Sequence, residues 1–166
     1  MQDIYTDPIL KKYIDLIQSY TNSFKRVYFG DPIKIGASEL PALIIAKVDT
    51  TVGNMTTSED RHNIRITLTA VTDIRDTITD DAQMVAGVNN LYNLMEGRNA
   101  NYSLKTDSLL YILRHNVELD PANNLRTDLN TITRIDYGMT LGKRRGADSW
   151  SVEGMLEFIA TFSQVR

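Results

Sequence analysis

The chain has 166 residues, 42% of them hydrophobic, which is the size of one domain with a core that is adequate rather than large. Its net charge of −3 and isoelectric point near 5.4 argue against a dedicated nucleic-acid binder, which carries a basic stripe. It contains no cysteine, which removes disulfide frameworks, thiolate metal sites and cysteine nucleophiles.

Ile9, Leu10, Tyr13, Ile14, Leu16, Ile17 and Tyr20 recur at three- and four-residue steps and predict an amphipathic helix. Thr6 or Asp7 supplies its N-cap, Pro8 suits the first helical position, and the helix should fade near Thr21-Asn22-Ser23. These apolar residues are spaced, so the N-terminus does not read as a secretory segment, and no window approaches a membrane span. A soluble protein of cytoplasmic origin is expected.

Residues 27–48, VYFGDPIKIGASELPALIIAKV, hold two corners. After Gly30-Asp31-Pro32, Ile33 and Ile35 alternate with Lys34 and predict a short half-buried strand. After Glu39-Leu40-Pro41, the apolar run Leu43–Val48 predicts a strand buried on both faces. Residues 49–61, DTTVGNMTTSEDR, are polar without a clear period and read as a long loop or a mobile hairpin. His62–Ile74 alternates strictly: Ile64, Ile66, Leu68, Ala70 and Thr72 face one way, and Asn63, Arg65, Thr67, Thr69 and Val71 the other. It should pair antiparallel with 43–48.

Thr79 or Asp80 should cap a second helix over 80–96, with Val85, Val88, Leu91, Tyr92 and Met95 as its apolar face and Gly97 as its stop. Thr106 is the candidate cap of a third short helix or turn through Leu109, Leu110, Ile112 and Leu113, and residues 120–124 read as a loop. Thr131–Leu141 and Trp150–Phe162 should form a closing β-hairpin with its tip at 142–149, the last strand heavy enough in Met155, Leu156, Phe158, Ile159 and Phe162 to be central. The element order predicts a single α+β domain over 1–166: a mostly antiparallel sheet with an N-terminal helix and a second helix packed on it.

Signatures of chemistry are sparse. His62 and His115 stand alone, with no second ligand at metal spacing, and read as structural. Asp73, Asp76, Asp80 and Asp81 are the densest carboxylates. A metal-dependent nucleic-acid enzyme could use such a group, but acidic residues at a helix start need no other reason. There is no GxSxG elbow and no P-loop. Lys143-Arg144-Arg145, between Gly142 and Gly146, is the sharpest basic cluster; subunit contact ranks first for it, then a solvated turn, then DNA phosphates.

The order of elements resembles the tail-terminator (tail-completion) family of long-tailed bacteriophages. The resemblance is carried by Tyr28-Phe29-Gly30-Asp31-Pro32 with Leu40-Pro41-Ala42-Leu43-Ile44-Ile45, by the polar stretch leading into His62–Ile74, by the helix after Asp80-Asp81, and by the closing strand pair with its charged tip. It implies a structural virion protein without catalytic residues, metal or cofactor. Such a protein forms a ring, hexameric by analogy, that caps the tail tube at the head–tail interface after assembly in the host cytoplasm. Its implied partners are other copies of itself, the tail-tube protein and a head-completion or connector protein, with DNA only as passing cargo and no membrane. Another neck or baseplate component is the alternative. A ring protomer needs loops that reach its neighbours, so the candidate assembly contacts are Val52, Asn54 and Met55 in 49–61 and Lys143, Arg144 and Arg145 at the hairpin tip.

Overall fold

A computed structural model describes residues 7–32, 34–74, 81–142 and 150–165. Its helices are α1 (Pro8–Tyr20), α2 (Asp81–Glu96) and α3 (Leu109–His115). Its strands are β1 (Arg26–Phe29), β2 (Ala42–Asn54), β3 (Glu59–Ile74), β4 (Glu118–Asp120), β5 (Leu125–Asp128), β6 (Ile135–Gly142) and β7 (Trp150–Val165). The fold is α+β, as the pattern of elements predicts: a mostly antiparallel sheet carrying an N-terminal and a second helix, closed by the β6–β7 hairpin.

The sheet runs β1-β2-β3-β7-β5-β4, and β6 also pairs with β7. Among the described strands, only β1 and β2 pair in parallel. β3 and β7 pair along their whole lengths, from Glu59 opposite Val165 to Ile74 opposite Trp150. The other edge of β7 is divided: β6 takes its first half, between Ser151 and Leu156, and β5 pairs with Ile159–Thr161. The last strand in the sequence is therefore central, as its apolar weight predicts.

Period-two alternation sets which face is covered. Ile64, Ile66, Leu68, Ala70, Thr72 and Ile74 of β3 are buried, as are Val152, Leu156, Phe158 and Ala160 of β7. The helices pack on this face. Tyr13 of α1 stacks obliquely on Phe158, ring centres 4.9 Å apart, and its hydroxyl shares a 2.9 Å hydrogen bond with Thr127 of β5. α2 approaches β3 so closely that Thr72 Oγ1 donates to the Gly87 carbonyl at 3.3 Å. A Cβ on Gly87 would lie 2.7 Å from Ile74 Cγ1, which accounts for a glycine inside a helix, where it costs about 1 kcal/mol against alanine.

The start of α1 follows its sequence. Asp7 is the N-cap, accepting from the Ile9 and Leu10 amides at 2.9 and 3.2 Å, and Lys47 of β2 pairs with its other oxygen. Partial burial works against the charged carboxylate. The hydrogen bonds from Lys47, Leu10 and Ile9 outweigh it and hold Asp7 below the usual range.

Several expectations need correction. Of the strand expected at 33–35, Ile33 lies outside the described residues, and neither Lys34, which is exposed, nor Ile35, which is buried in irregular chain, is in a strand. Ile35 joins Leu40, Ala42, Ile44 and Val71 in a small second core, against which Tyr28 packs. The strand of this region is β1, four residues paired in parallel with Ala42–Ile45, after which Gly30, at φ +77°, turns the chain and donates its N–H to Ile45 O. Burial on both faces of β2 holds only for Ala42–Ile45, since Lys47 and Val48 are exposed. On α2, Val85 and Tyr92 face outward and Leu94 takes a place in the buried face, while Val88 is half-buried. Thr79 and Asp80 lie outside the described residues. α3 begins after Ser108 rather than at Thr106, and residues 129–131 form a 3-10 turn before β6. The short strands β4 and β5 flank the expected 120–124 loop.

Candidate assembly surfaces

Residues 49–61 resolve the choice between loop and hairpin. β2 and β3 continue as a ladder, with Thr50 opposite Ile64, Val52 opposite His62 and Asn54 opposite Asp60. The turn closes with the Met55 and Thr56 amides donating to Glu59 O at 3.0 and 3.2 Å. With the end of β7, this makes a three-stranded arm. Sixteen residues of β3 reach about 50 Å at 3.3 Å per residue, longer than the usual strand of five or six.

The arm leaves the core at Lys47. β1 ends its pairing at Ile45, and among the described residues no strand pairs with the outer edge of Lys47–Asn54. The ladder register shifts between Lys47 and Asp49, a bulge at Val48. Every residue from Lys47 to Ser58 is exposed, Val52 to 58%. Val52, His62 and Phe162 form a row across the face that continues the core. The His62 ring stacks on Phe162 at 4.5 Å with 7° between the planes. On the opposite face Arg65 lies between Asp49 (3.5 Å) and Glu157 (3.8 Å), half-exposed pairs of the kind worth about 0–1 kcal/mol.

Three of the expected contact residues, Val52, Asn54 and Met55, thus share one arm, with Met55 Sδ 3.7 Å from Ser163 Oγ of β7. Lys143, Arg144 and Arg145 lie outside the described residues, as do Asp76 and Asp80. Asp73 is exposed near the end of β3 and Asp81 opens α2. Among the described residues, no three His, Asp or Glu side chains are grouped to hold a metal ion. His62 is half-buried in the aromatic stack, and His115 stacks on Tyr111 at 3.8 Å with Nδ1 3.0 Å from Tyr111 O.

Two surface features carried no signal in the sequence. The first lies where α2 meets β6. Tyr92 packs edge-on against Tyr137, 4.9 Å between centres, and Tyr137 donates to Glu96 Oε1 at 2.9 Å while Arg98 holds Oε2 at 3.1 Å. Burial, then Glu96, push the Tyr137 hydroxyl far above its ordinary range. Beside this cluster stands the turn 98–104. The Asn99 amide donates to Ser103 O, the Tyr102 amide to Asn99 O, and Arg98 Nη1 to Tyr102 O; Asn101 Oδ1 accepts from the Ser103 hydroxyl. These bonds hold Tyr102 at φ +66° with its side chain 81% exposed. A tyrosine rarely adopts that conformation, and nothing in the letters RNANYS announces it.

The second feature is a cleft of about 280 Å³ between α1 and β1. Ile14, Ile17, Phe24, Val27 and Leu43 line it, with Gln18, Thr21 and Asn22 supplying polar groups. Comparison with protein-family models and with curated proteins finds no match.

Proposed function

We propose that this chain is a structural subunit of a ring that caps the tail tube of a long-tailed bacteriophage, stops its polymerisation and offers a surface to the head connector. The observation that carries the reading is the arm. A three-stranded extension exposes both faces of β2 beyond Lys47 and leaves its outer backbone edge without a strand partner among the described residues. Soluble proteins protect such edges, because unpaired N–H and C=O groups recruit other chains. A contact made by different surfaces on two copies closes into a ring when the rotation permits. The resemblance in the order of elements supplies the tail, and the mildly acidic charge suits a channel that lets DNA pass.

The test is the mass of the purified protein over a concentration series, with electron microscopy of the same samples and of isolated tail tubes mixed with it. The expected result is a discrete ring, free or seated at tube ends. A protein that stays monomeric and leaves tube ends bare overturns the reading. Tight, salt-dependent DNA binding would instead favour a nucleic-acid module.

A further inference from the structure

The ring reading above leaves open how one copy meets the next. We propose that Tyr102 is a knob that seats in the cleft between α1 and β1 of the adjacent copy. The inference rests on that reading and deepens it.

The two features lie toward opposite sides of the sheet. The turn 98–104 is tied through Glu96 and Arg98 to Tyr137 on β6, which pairs beyond β7. The cleft lies at β1 and β2, toward the far edge. The strands between them, β2, β3 and β7, put β6 and β1 about 19 Å apart at 4.8 Å per spacing. A knob on one side and a socket on the other produce head-to-tail association, the kind that closes into rings.

The chemistry of the two surfaces matches. The cleft combines apolar side chains, Phe24 and Val27 among them, with the amides of Gln18 and Asn22. A phenol needs that pairing, since its ring gains by leaving water and its hydroxyl needs a partner. At about 280 Å³ the cleft lies below the roughly 300–1,000 Å³ of small-molecule pockets and suits a side chain. The polar groups are mostly uncharged: Gln18, Thr21 and Asn22 line the cleft, Asn99, Asn101 and Ser103 surround the knob, and Arg98 beside it is paired with Glu96. Tyrosine flanked by Asn and Ser is the composition that antibody loops use as an anchor with adaptable polar contacts.

The backbone makes the same point. Position 102 suits glycine or asparagine, yet it holds an aromatic residue in a strained conformation and presents it to water. Within one copy this arrangement gains nothing for the ring of Tyr102. Seated in a neighbour, the turn presents an aromatic anchor on a backbone that is already fixed, which lowers the ordering cost of binding.

The chain has no cysteine, so engineered thiols report without background. Ala100→Cys places a thiol beside the knob without touching the bonds that brace it, and Asn22→Cys places one beside the cleft. Mixing the two single variants with a short thiol-specific cross-linker should give one dimer band, and the double variant a ladder. Ala100→Cys mixed with Ser58→Cys, at the arm tip, should give neither. Tyr102→Gly should weaken association at least tenfold while leaving the thermal midpoint unchanged or higher, because it relieves the strained backbone; Tyr102→Phe should keep most of the association. If wild-type rings form but the 100/22 pair stays unlinked, or Tyr102→Gly rings form as readily, the knob is overturned and the ring reading stands. Linking of Ala100→Cys only to itself also overturns it. If wild-type protein forms no ring and does not bind tube ends, both fall.

Discussion

The same two strands build both the base and the arm of this sheet, and they behave differently. At the base, Leu43, Ile45 and the alternate residues Ile64–Ile74 are buried in the helix-covered core, and Ala42 and Ile44 are buried in the second core on the other face. In the arm, a few residues along, β2 keeps its ladder to β3 while every side chain from Lys47 to Ser58 is exposed. The β2–β3 ladder runs through both, broken by the bulge at Val48, while the outer edge of β2 is paired with β1 at the base and with no described strand in the arm. The layer above differs too, so the β2–β3 hydrogen bonds make the strand in both regions and burial supplies most of the stability of the base.

Substitutions can break or sharpen this contrast. The largest effect is expected at Phe158, fully buried against Tyr13: Phe158→Ala should lose about 3–5 kcal/mol in urea unfolding. Next is Gly87→Ala. Alanine gains about 1 kcal/mol as a helix former, but its Cβ would sit 2.7 Å from Ile74 Cγ1 and 3.1 Å from Asp73 O. Overpacking of that kind costs about 1–3 kcal/mol, so a net loss is expected, seen as a lower thermal midpoint. A gain would mean that α2 slides freely over the base.

Asp7 stands at the boundary between the regions, capping α1 while gripping Lys47 where the arm departs. Asp7→Ala should lose about 1 kcal/mol. Because its folded carboxyl titrates below its ordinary value, its contribution is complete above the unfolded value of about 3.9. It fades as pH falls through the lower folded value, so Asp7→Asn should flatten the acid side of the stability curve between about pH 4 and lower pH. The smallest effect on folding is expected in the arm. Val52→Ser and Met55→Ser should change stability by no more than about 0.5 kcal/mol, yet under the proposed function they should weaken association in sedimentation experiments. If Val52→Ser destabilised the monomer as much as Phe158→Ala, the arm would belong to the core and the contrast would be void.

How far the sequence could be read follows the same division. α1 was legible because Asp7, Pro8 and the three-to-four spacing all agree, and β3 because alternation with branched residues persists through its covered half. The arm read as a loop or hairpin because polar residues on both faces erase the period that burial writes into a strand. β1 was missed because Arg26–Phe29 is too short to show a period, and its parallel partner lies across two corners. Of the candidate contacts, the exposure of Val52 and Met55 could be inferred from composition. The posture of Tyr102 could not, since a positive φ on tyrosine is fixed by the hydrogen bonds of its turn.

β7 carries a consequence for how the molecule comes into being. Its 16 residues are the partner of β3, β5 and β6 at once, and its contacts with β3 span about ninety residues of chain. A ribosome delivers β7 after all three of the strands that await it. Until then β3 has only β2 beside it, β5 has only the three-residue β4, and β6 has no partner among the described strands. Closure must wait for β7 to be made, and distant pairing of this kind folds in milliseconds to seconds rather than microseconds. Each copy therefore completes its sheet only after β7 has been made.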